Sequence, residues 1–352
     1  MIASLSTRII SEAQQQRLED LSAEGLLAGL SVGIAEKDIH VTDLLRNLST
    51  LKVEHSHFVG TRANRTGTHV DDGIKLIFAG GTCLSKAHGT IRRMSEDIDM
   101  KIVLEPPSIS LKSDISQRAR LKALHSSIAV ANKSLGFEIP PQVNDKSNPL
   151  IRDTCRYYTL NSKYGTRSRA DLGLRPELKL EMIQRAPKLA PRPITFGYLY
   201  ERLADLSHSN PVTMQCIDPA ETLAEKVLSL LRRCAWQWSG RQNNPLDPTL
   251  VRHVYDVHQI HKADPATVEL ARSVFKDLVE TDVMEFNGQH PEFDASPGPV
   301  LLNTLGLART NEVLVHQYTD RVLPLIYGNE RPSYPEAFGS FDLVARTLLE
   351  VV

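Results

Sequence analysis

The 352-residue sequence predicts an α+β protein: a small mixed sheet with N-terminal helices, followed by a helical C-terminal domain. Three observations carry that prediction. Strand-like segments with alternating apolar and polar residues, IKLIFA (Ile74 to Ala79), DIDMKIVL (Asp97 to Leu104) and LKLEMI (Leu178 to Ile183), fall in the first part of the chain. Residues 8 to 50 read as helical, with Gly33 to Leu48 the clearest amphipathic piece. From about Asp218 onward helical spacing dominates.

Taken in order, the helical start gives way to a polar stretch, GTRANRTGTHVDDG, ending at Gly73. IKLIFA, a Gly-Gly turn, a helix and DIDMKIVL follow. That helix is expected to show Leu84, Ala87, Ile91 and Met94 on one side and Lys86, Thr90 and Arg93 on another. EPPSISLKSDIS and FEIPPQVNDKSNP read as loops around a helix near Gln117 to Lys133, and the Pro-rich APKLAPRPITF follows the third strand. Asp218, Pro219 and Glu221 make a helix start: an Asx cap, proline at the first helical position and an acid at the third. SGRQNNPLDP separates that helix from TLVRHVYDVHQIHK, and the tail from about Val300 is again helical. We place a domain boundary near residue 205, giving domains 1–205 and 206–352.

Composition narrows the function classes. A net charge of −1 provides no global attraction for nucleic acid, so such a contact must be local. The stretch 151–169, with Arg152, Arg156, Lys163, Arg167 and Arg169 among Tyr157, Tyr158 and Tyr164, is one place where a phosphate backbone and stacked bases would fit. A solvated surface loop explains it equally. Cys83, Cys155, Cys216 and Cys234 form no CxxC pair, against a zinc ribbon or disulfide framework and consistent with a reducing cytoplasm. No run of 18 apolar residues and no signal-peptide core occur, so a cytoplasmic protein with no membrane partner is expected. His253, His258 and His261, and His55 and His57, lack partners at zinc spacing. A Walker loop and a Gly-x-Ser-x-Gly elbow are both missing.

The chemistry concentrates in GGTCLSKAHGTIRRMSEDIDM, residues 80 to 100. On a strand Asp97, Asp99 and Lys101 share one face while Ile98, Met100 and Ile102 share the other. Two carboxylates about 5–7 Å apart repel by a few kcal/mol at an effective dielectric near 20. A hard cation such as Mg²⁺ or Mn²⁺ relieves that repulsion and keeps positions open for substrate phosphates. Gly80 and Gly81 let backbone amides approach an anion closely at a helix start, and Lys86 is expected to add its ammonium to the cradle. The unit reads as a phosphate and metal site for phosphoryl transfer.

With those residues quoted, the sequence resembles the AbiEii/AbiGii family of nucleotidyltransferase toxins, within the DNA-polymerase-beta-like superfamily. FAGGTCLSKAHGTIRRMSEDIDM is similar to the family's first motif, EKDIHVTDLLRNL to its N-terminal EKD helix and RPELKLEM to its third-carboxylate strand. AEKVLSLL and RHVYDVHQI resemble its two helical motifs, and HQYTDRVLPLIYGNERPSYPEAF its C-terminal helices. Ile39, His40, His88 and Met94 stand where the family often has aromatics, and RHVYD replaces the commoner RHYYD.

The resemblance implies a polymerase-beta-like core whose C-terminal helical domain completes the active site. Asp97 and Asp99 would carry the metals, with Glu181 as third carboxylate able to position or deprotonate the acceptor hydroxyl. Gly80, Gly81 and Thr82 would bind the phosphates of an NTP, and Lys226 would contact them too. Asp256 becomes an active-site acid, although Arg252 and Asp256, four apart on a helix, also read as a surface ion pair. The implied activity is transfer of an NMP to an acceptor hydroxyl, first of all the 3′ end of tRNA, by the toxin of a toxin–antitoxin or phage-defence pair with a separately encoded antitoxin. Nucleotidylation of a protein or small molecule, and a non-catalytic nucleotide-binding module, are the competing readings.

Overall fold

The computed structural model describes residues 7–59, 66–71, 73–95, 97–105, 117–139, 150–168, 175–242 and 245–352. Most of the loops expected over 105–116 and 137–149, and Arg169 of the basic stretch, lie outside the described residues. The chain divides into two compact units. The first comprises Met1–Ala87, Ser95–Pro187 and Pro191–Cys216, and the second His88–Met94, Lys188–Ala190 and Ile217–Val352.

In the first unit, α1 (Glu12–Ala23) opens with a capping box between Ser11 and Gln14, and α2 (Val32–Ser49) is capped by Ser31. Then come β1 (Glu54–Val59), β2 (Thr66–Asp71), β3 (Ile74–Ala79), α3 (Gly80–Lys86), β4 (Asp97–Leu104) and α4 (Gln117–Ser134). After these lie β5 (Ile151–Arg152), β6 (Tyr157–Lys163), β7 (Glu177–Gln184), β8 (Arg192–Phe196), α5 (Leu199–Leu203) and β9 (Val212–Cys216). One sheet runs in the order β5-β6-β7-β4-β3-β9-β8, and β1 and β2 form a separate antiparallel pair. β4 lies between antiparallel β3 and parallel β7, so the sheet is mixed. Ile98, Met100 and Ile102 of β4 and Leu178, Leu180 and Met182 of β7 are all buried, making the core side of the central strands.

Two expectations need correction here. The polar stretch ending at Gly73 contains β2, which pairs with β1 as a hairpin. Its sequence, TGTHVD, lacks the apolar alternation that marks a half-buried strand. The helix after the glycines stops at Lys86, because the chain turns through Gly89 with φ +66°. Ile91 and Met94 are buried without being helical, and Arg93 forms an isolated β-bridge with Ile326 of the second unit, to which all three belong. Pro193 is tolerated in β8 because that strand is the sheet edge.

The second unit is helical: α6 (Pro219–Trp238), α7 (Arg252–Ala263), α8 (Thr267–Glu285), α9 (Pro291–Ala295), α10 (Pro297–Ala308), α11 (Glu312–Arg321) and α12 (Tyr334–Leu349). α6 starts as its sequence specifies, with the Asp218 side chain accepting from Ala220 N and Pro219 at the first position. Leu223, Val227, Leu230 and Cys234 form its fully buried stripe, against α7, α8 and α10. Glu221 turns inward, and its carboxylate accepts from the amides of Lys188 and Leu189 at 2.8 Å each. Among the described residues no helix is long and apolar enough to cross a membrane.

Candidate active site

The carboxylate face of the sheet follows from register. Asp97 pairs with Lys179 and Asp99 with Glu181 across the parallel β4–β7 ladder, so all four side chains point to one face. On the far side of β7, Thr159 pairs with Glu181 and Asn161 with Lys179. Lys179 Nζ lies 2.5 Å from Glu181 Oε1, with both side chains partly exposed. Burial alone would lower the Lys179 pKa; the hydrogen bond and charge of Glu181, followed by the charges of Asp97 and Asp99, raise it instead. The ammonium therefore sits in the field of all three acids.

The glycine turn meets this face through Asp99. Ala79 is the ladder partner of Asp99, and Gly80, with φ +72°, begins α3 directly beneath its carboxylate. A β-carbon on Gly80 would stand 1.9 Å from Asp99 Oδ2 and 2.8 Å from its Cβ. Gly80 thus makes room for the Asp99 side chain, a requirement with no signal in the local sequence. Gly81 and Thr82 are buried, and the Thr82 hydroxyl donates to the Asp97 carbonyl, tying α3 to the start of β4.

Lys86 does not join a phosphate cradle. Its ammonium is buried and donates to Asp38 Oδ1 at 2.6 Å, Thr42 Oγ1 at 2.7 Å and the Gly197 carbonyl at 3.2 Å, which uses all three donors. Burial lowers its pKa, with the Asp38 carboxylate opposing. The EKD residues of α2 consequently have internal tasks. Asp38 holds Lys86 and accepts from Leu199 N. Glu36, 1 % exposed, accepts from Thr166 Oγ1, Arg167 N and Ser168 N, and Lys37 donates to the Arg175 carbonyl.

Within the second unit, Asp256 on α7 is fully buried between two cations. Arg93 Nε and Nη2 donate to its two oxygens at 2.7 and 2.6 Å, and Lys226 Nζ on α6 lies 2.8 Å from Oδ2. Burial alone would raise its pKa; Arg93 and Lys226 outweigh that and hold the carboxyl well below the usual range. Asp256 is therefore no surface residue, and the alternative reading of it as half of a surface ion pair with Arg252 does not describe it. Arg252 instead bonds Thr249, and the counter-ions come from α6 and from the 88–94 segment. Arg93 was placed by its sequence on the polar side of a helix, and no local signal marked it as the partner of a buried acid.

The Arg/Tyr-rich stretch also departs from expectation. Two parts of it, Ile151–Arg152 and Tyr157–Lys163, are strand, rather than one continuous loop. Tyr158 is fully buried and stacked on His125 at 3.9 Å, while Tyr164 packs on His40 at 4.1 Å. Neither ring is available to a nucleobase. Arg167 Nε is committed to the Ile10 carbonyl at 2.7 Å.

The first unit is thus a mixed sheet with paired aspartates on a central strand and a Gly-Gly helix start on the strand before it. The family model described as "Nucleotidyl transferase AbiEii toxin, Type IV TA system" matches residues 65–340. The chain belongs to that family, and so is a nucleotidyltransferase toxin of a type IV toxin–antitoxin system. Among solved structures it is similar to MenT4, the nucleotidyltransferase toxin Rv2826c from Mycobacterium tuberculosis H37Rv. That match has a TM-score of 0.51 and 17% identity, over 96% of this chain and 90% of that one. JHP933 from Helicobacter pylori is also similar, with a TM-score of 0.40 and 16% identity over 97% and 94% of the two chains. At these identities the first likeness shows fold alone, and the second carries no further weight. No curated protein sequence matches the chain.

The family's chemistry generally uses an NTP and a divalent metal. Among the described residues no three acidic, histidine or cysteine side chains converge into a metal-holding group. Glu181 is paired with Lys179. Asp97, Asp99 and Glu181 supply hard oxygen donors on one face of the sheet. The donor set fits a divalent cation.

Proposed function

We propose that this protein moves an NMP from an NTP to a hydroxyl of RNA, first of all the 3′ end of tRNA. In this reading Asp97, Asp99 and Glu181 hold Mg²⁺ or Mn²⁺, and the cognate antitoxin opposes the outcome, in phage defence among other settings. The observation that supports it best is the β4–β7 register, which sets three carboxylates on one face beside the glycine turn. The RNA acceptor rests on the resemblance to tRNA-modifying relatives; the buried tyrosines lend it no support.

In the reaction the acceptor oxygen bonds to the α-phosphorus, the α–β bridging P–O bond breaks and pyrophosphate leaves. Divalent ions, when bound, neutralise charge developing on the phosphates and make the acceptor hydroxyl easier to ionise. Asp97 and Asp99 orient the triphosphate side of the site, and Glu181 orients the acceptor hydroxyl or takes its proton. The amides of Gly80 and Gly81 face the phosphates. Within the second unit Asp256, buried and doubly paired, holds Lys226, the lysine that the resemblance makes a phosphate contact, rather than exchanging a proton itself.

The test is expression in bacteria of wild type and Asp99→Ala, with sequencing of tRNA 3′ ends. Growth arrest and extended tRNA with wild type only are expected. Arrest that needs Asp99 but leaves RNA unmodified would move the acceptor to a protein or small molecule. Arrest by Asp99→Ala as well would contradict a catalytic toxin and favour a binding module.

A further inference from the structure

Lys179 has no part in the reaction described above, yet it occupies the carboxylate face. It is the ladder partner of Asp97 on one side and of Asn161 on the other, and its ammonium is 2.5 Å from Glu181. Asn161 Oδ1 is buried and has no hydrogen-bond partner among the described residues. A buried carbonyl oxygen without a donor is costly, so its position beside a lysine with a flexible stem calls for a reason.

We infer that Lys179 is a displaceable counter-ion: it holds Glu181 and neutralises the acidic face while no metal is bound, and cedes that place to the divalent cation, its ammonium moving to Asn161 Oδ1. This rests on the reading of Asp97, Asp99 and Glu181 as metal ligands. The physical argument is charge competition. Three carboxylates on adjacent strands repel one another unless a cation lies among them. A lysine supplies one permanently, which protects the fold in the absence of metal. Its cost falls on metal affinity, because the ion has to displace an ammonium before Glu181 is free to turn. The Asn161 oxygen lowers that cost by offering the displaced ammonium an acceptor on the neighbouring strand. The same exchange would couple the third ligand to metal loading, since Glu181 leaves Lys179 only when a stronger cation arrives.

The lysine also deepens the reading of specificity at this site. A monovalent ion competes poorly with a tethered ammonium, whereas a divalent ion brings twice the charge to the same oxygens. The site is therefore expected to reject monovalent cations even when they are abundant.

The experiment is Mn²⁺ binding to the full-length protein, by electron paramagnetic resonance of free Mn²⁺ and by calorimetry, with thermal melts with and without Mn²⁺. Lys179→Met is expected to bind Mn²⁺ about tenfold more tightly than wild type, the order of effect that a neighbouring charge has on an ionisable group. Its metal-free melting temperature should fall, and Mn²⁺ should raise that temperature by more than it does in wild type. Lys179→Arg keeps the charge and should bind Mn²⁺ about as wild type does. Asn161→Leu, which removes the second acceptor, should bind it more weakly. Equal Mn²⁺ affinity in wild type and a folded Lys179→Met, or weaker binding in the variant, would overturn the inference while leaving the metal reading in place. Should wild type and all three variants fail to bind Mn²⁺, the metal reading itself would fall, and the inference with it.

Discussion

Replacing Gly80 by alanine tests how the glycine turn and the aspartate pair depend on each other. Two costs are separable. The first is backbone strain, because an L-residue at φ +72° loses about 1–2 kcal/mol relative to glycine. The second is collision: the new β-carbon would stand 1.9 Å from Asp99 Oδ2, so the carboxylate has to move by about 1.5 Å to reach ordinary contact. Misplacing a reacting group by about 1 Å costs on the order of 100-fold in rate. Gly25 provides the control, since its φ is +73° and an added β-carbon meets nothing within 4 Å. Gly25→Ala should therefore lose about 1–2 kcal/mol in a denaturant melt and keep its nucleotidyl transfer rate. Gly80→Ala should lose at least as much stability and about 100-fold in rate, measured by incorporation of α-labelled NTP at saturating metal. A Gly80→Ala protein that transfers at the wild-type rate would refute the placement of Asp99 at the reacting centre.

Further expectations concern the buried charges. Asp256→Asn leaves Arg93 and Lys226 buried without their anion, and should cost about 3–5 kcal/mol in a urea melt; a loss below about 1 kcal/mol would show that the triad is dispensable. Acid should weaken the first unit well before carboxylates protonate. Burial lowers the pKa of His40 to about 3, with the Arg8 charge adding to it, and that of His125 to about 4, against about 6.5 in the unfolded chain. Both folded values are depressed, so this stability is complete above about pH 6.5 and declines as pH falls toward the folded values. At pH 5 each histidine should cost roughly 2 kcal/mol relative to neutral pH. His125→Phe, which keeps an aromatic ring against Tyr158, should flatten that decline, and an unchanged pH profile would contradict the account.

What the sequence disclosed was governed by whether a feature depends on neighbours in the chain or in space. β3 and β4 lie where alternation placed them, although burial is less regular than the alternation, since Ile77, Phe78 and Ala79 are all buried and Lys101 is buried on the aspartate face. α6 begins at Asp218 and Pro219 because capping is a local hydrogen-bond matter. The β1–β2 hairpin gave no such pattern, since neither strand is apolar on one side in sequence. α3 was drawn too long because Ile91 and Met94 continue its apolar spacing, although Gly89 has already turned the chain. The site divided in the same way. That Asp97 and Asp99 share a face was legible from strand alternation. That Lys86 pairs with Asp38, or that Asp256 draws its cations from Arg93 and Lys226, was not, because partner choice for a buried charge is settled by tertiary packing. The tyrosines misled for a related reason. An aromatic between arginines reads as a stacking platform, and only the fold shows that Tyr158 and Tyr164 already stack on His125 and His40.

The central claim is that the Asp97/Asp99 face performs nucleotidyl transfer, and it is tested most directly with purified protein, each α-labelled NTP in turn, Mg²⁺ or Mn²⁺, and total RNA. Wild type should place label in RNA with release of pyrophosphate, and the label should be absent when metal is chelated. Asp97→Asn and Asp99→Asn should abolish incorporation while melting at or slightly above the wild-type temperature, because each removes one of two like charges on adjacent positions of the same strand face. Near-normal transfer by either folded variant would contradict the account at its centre.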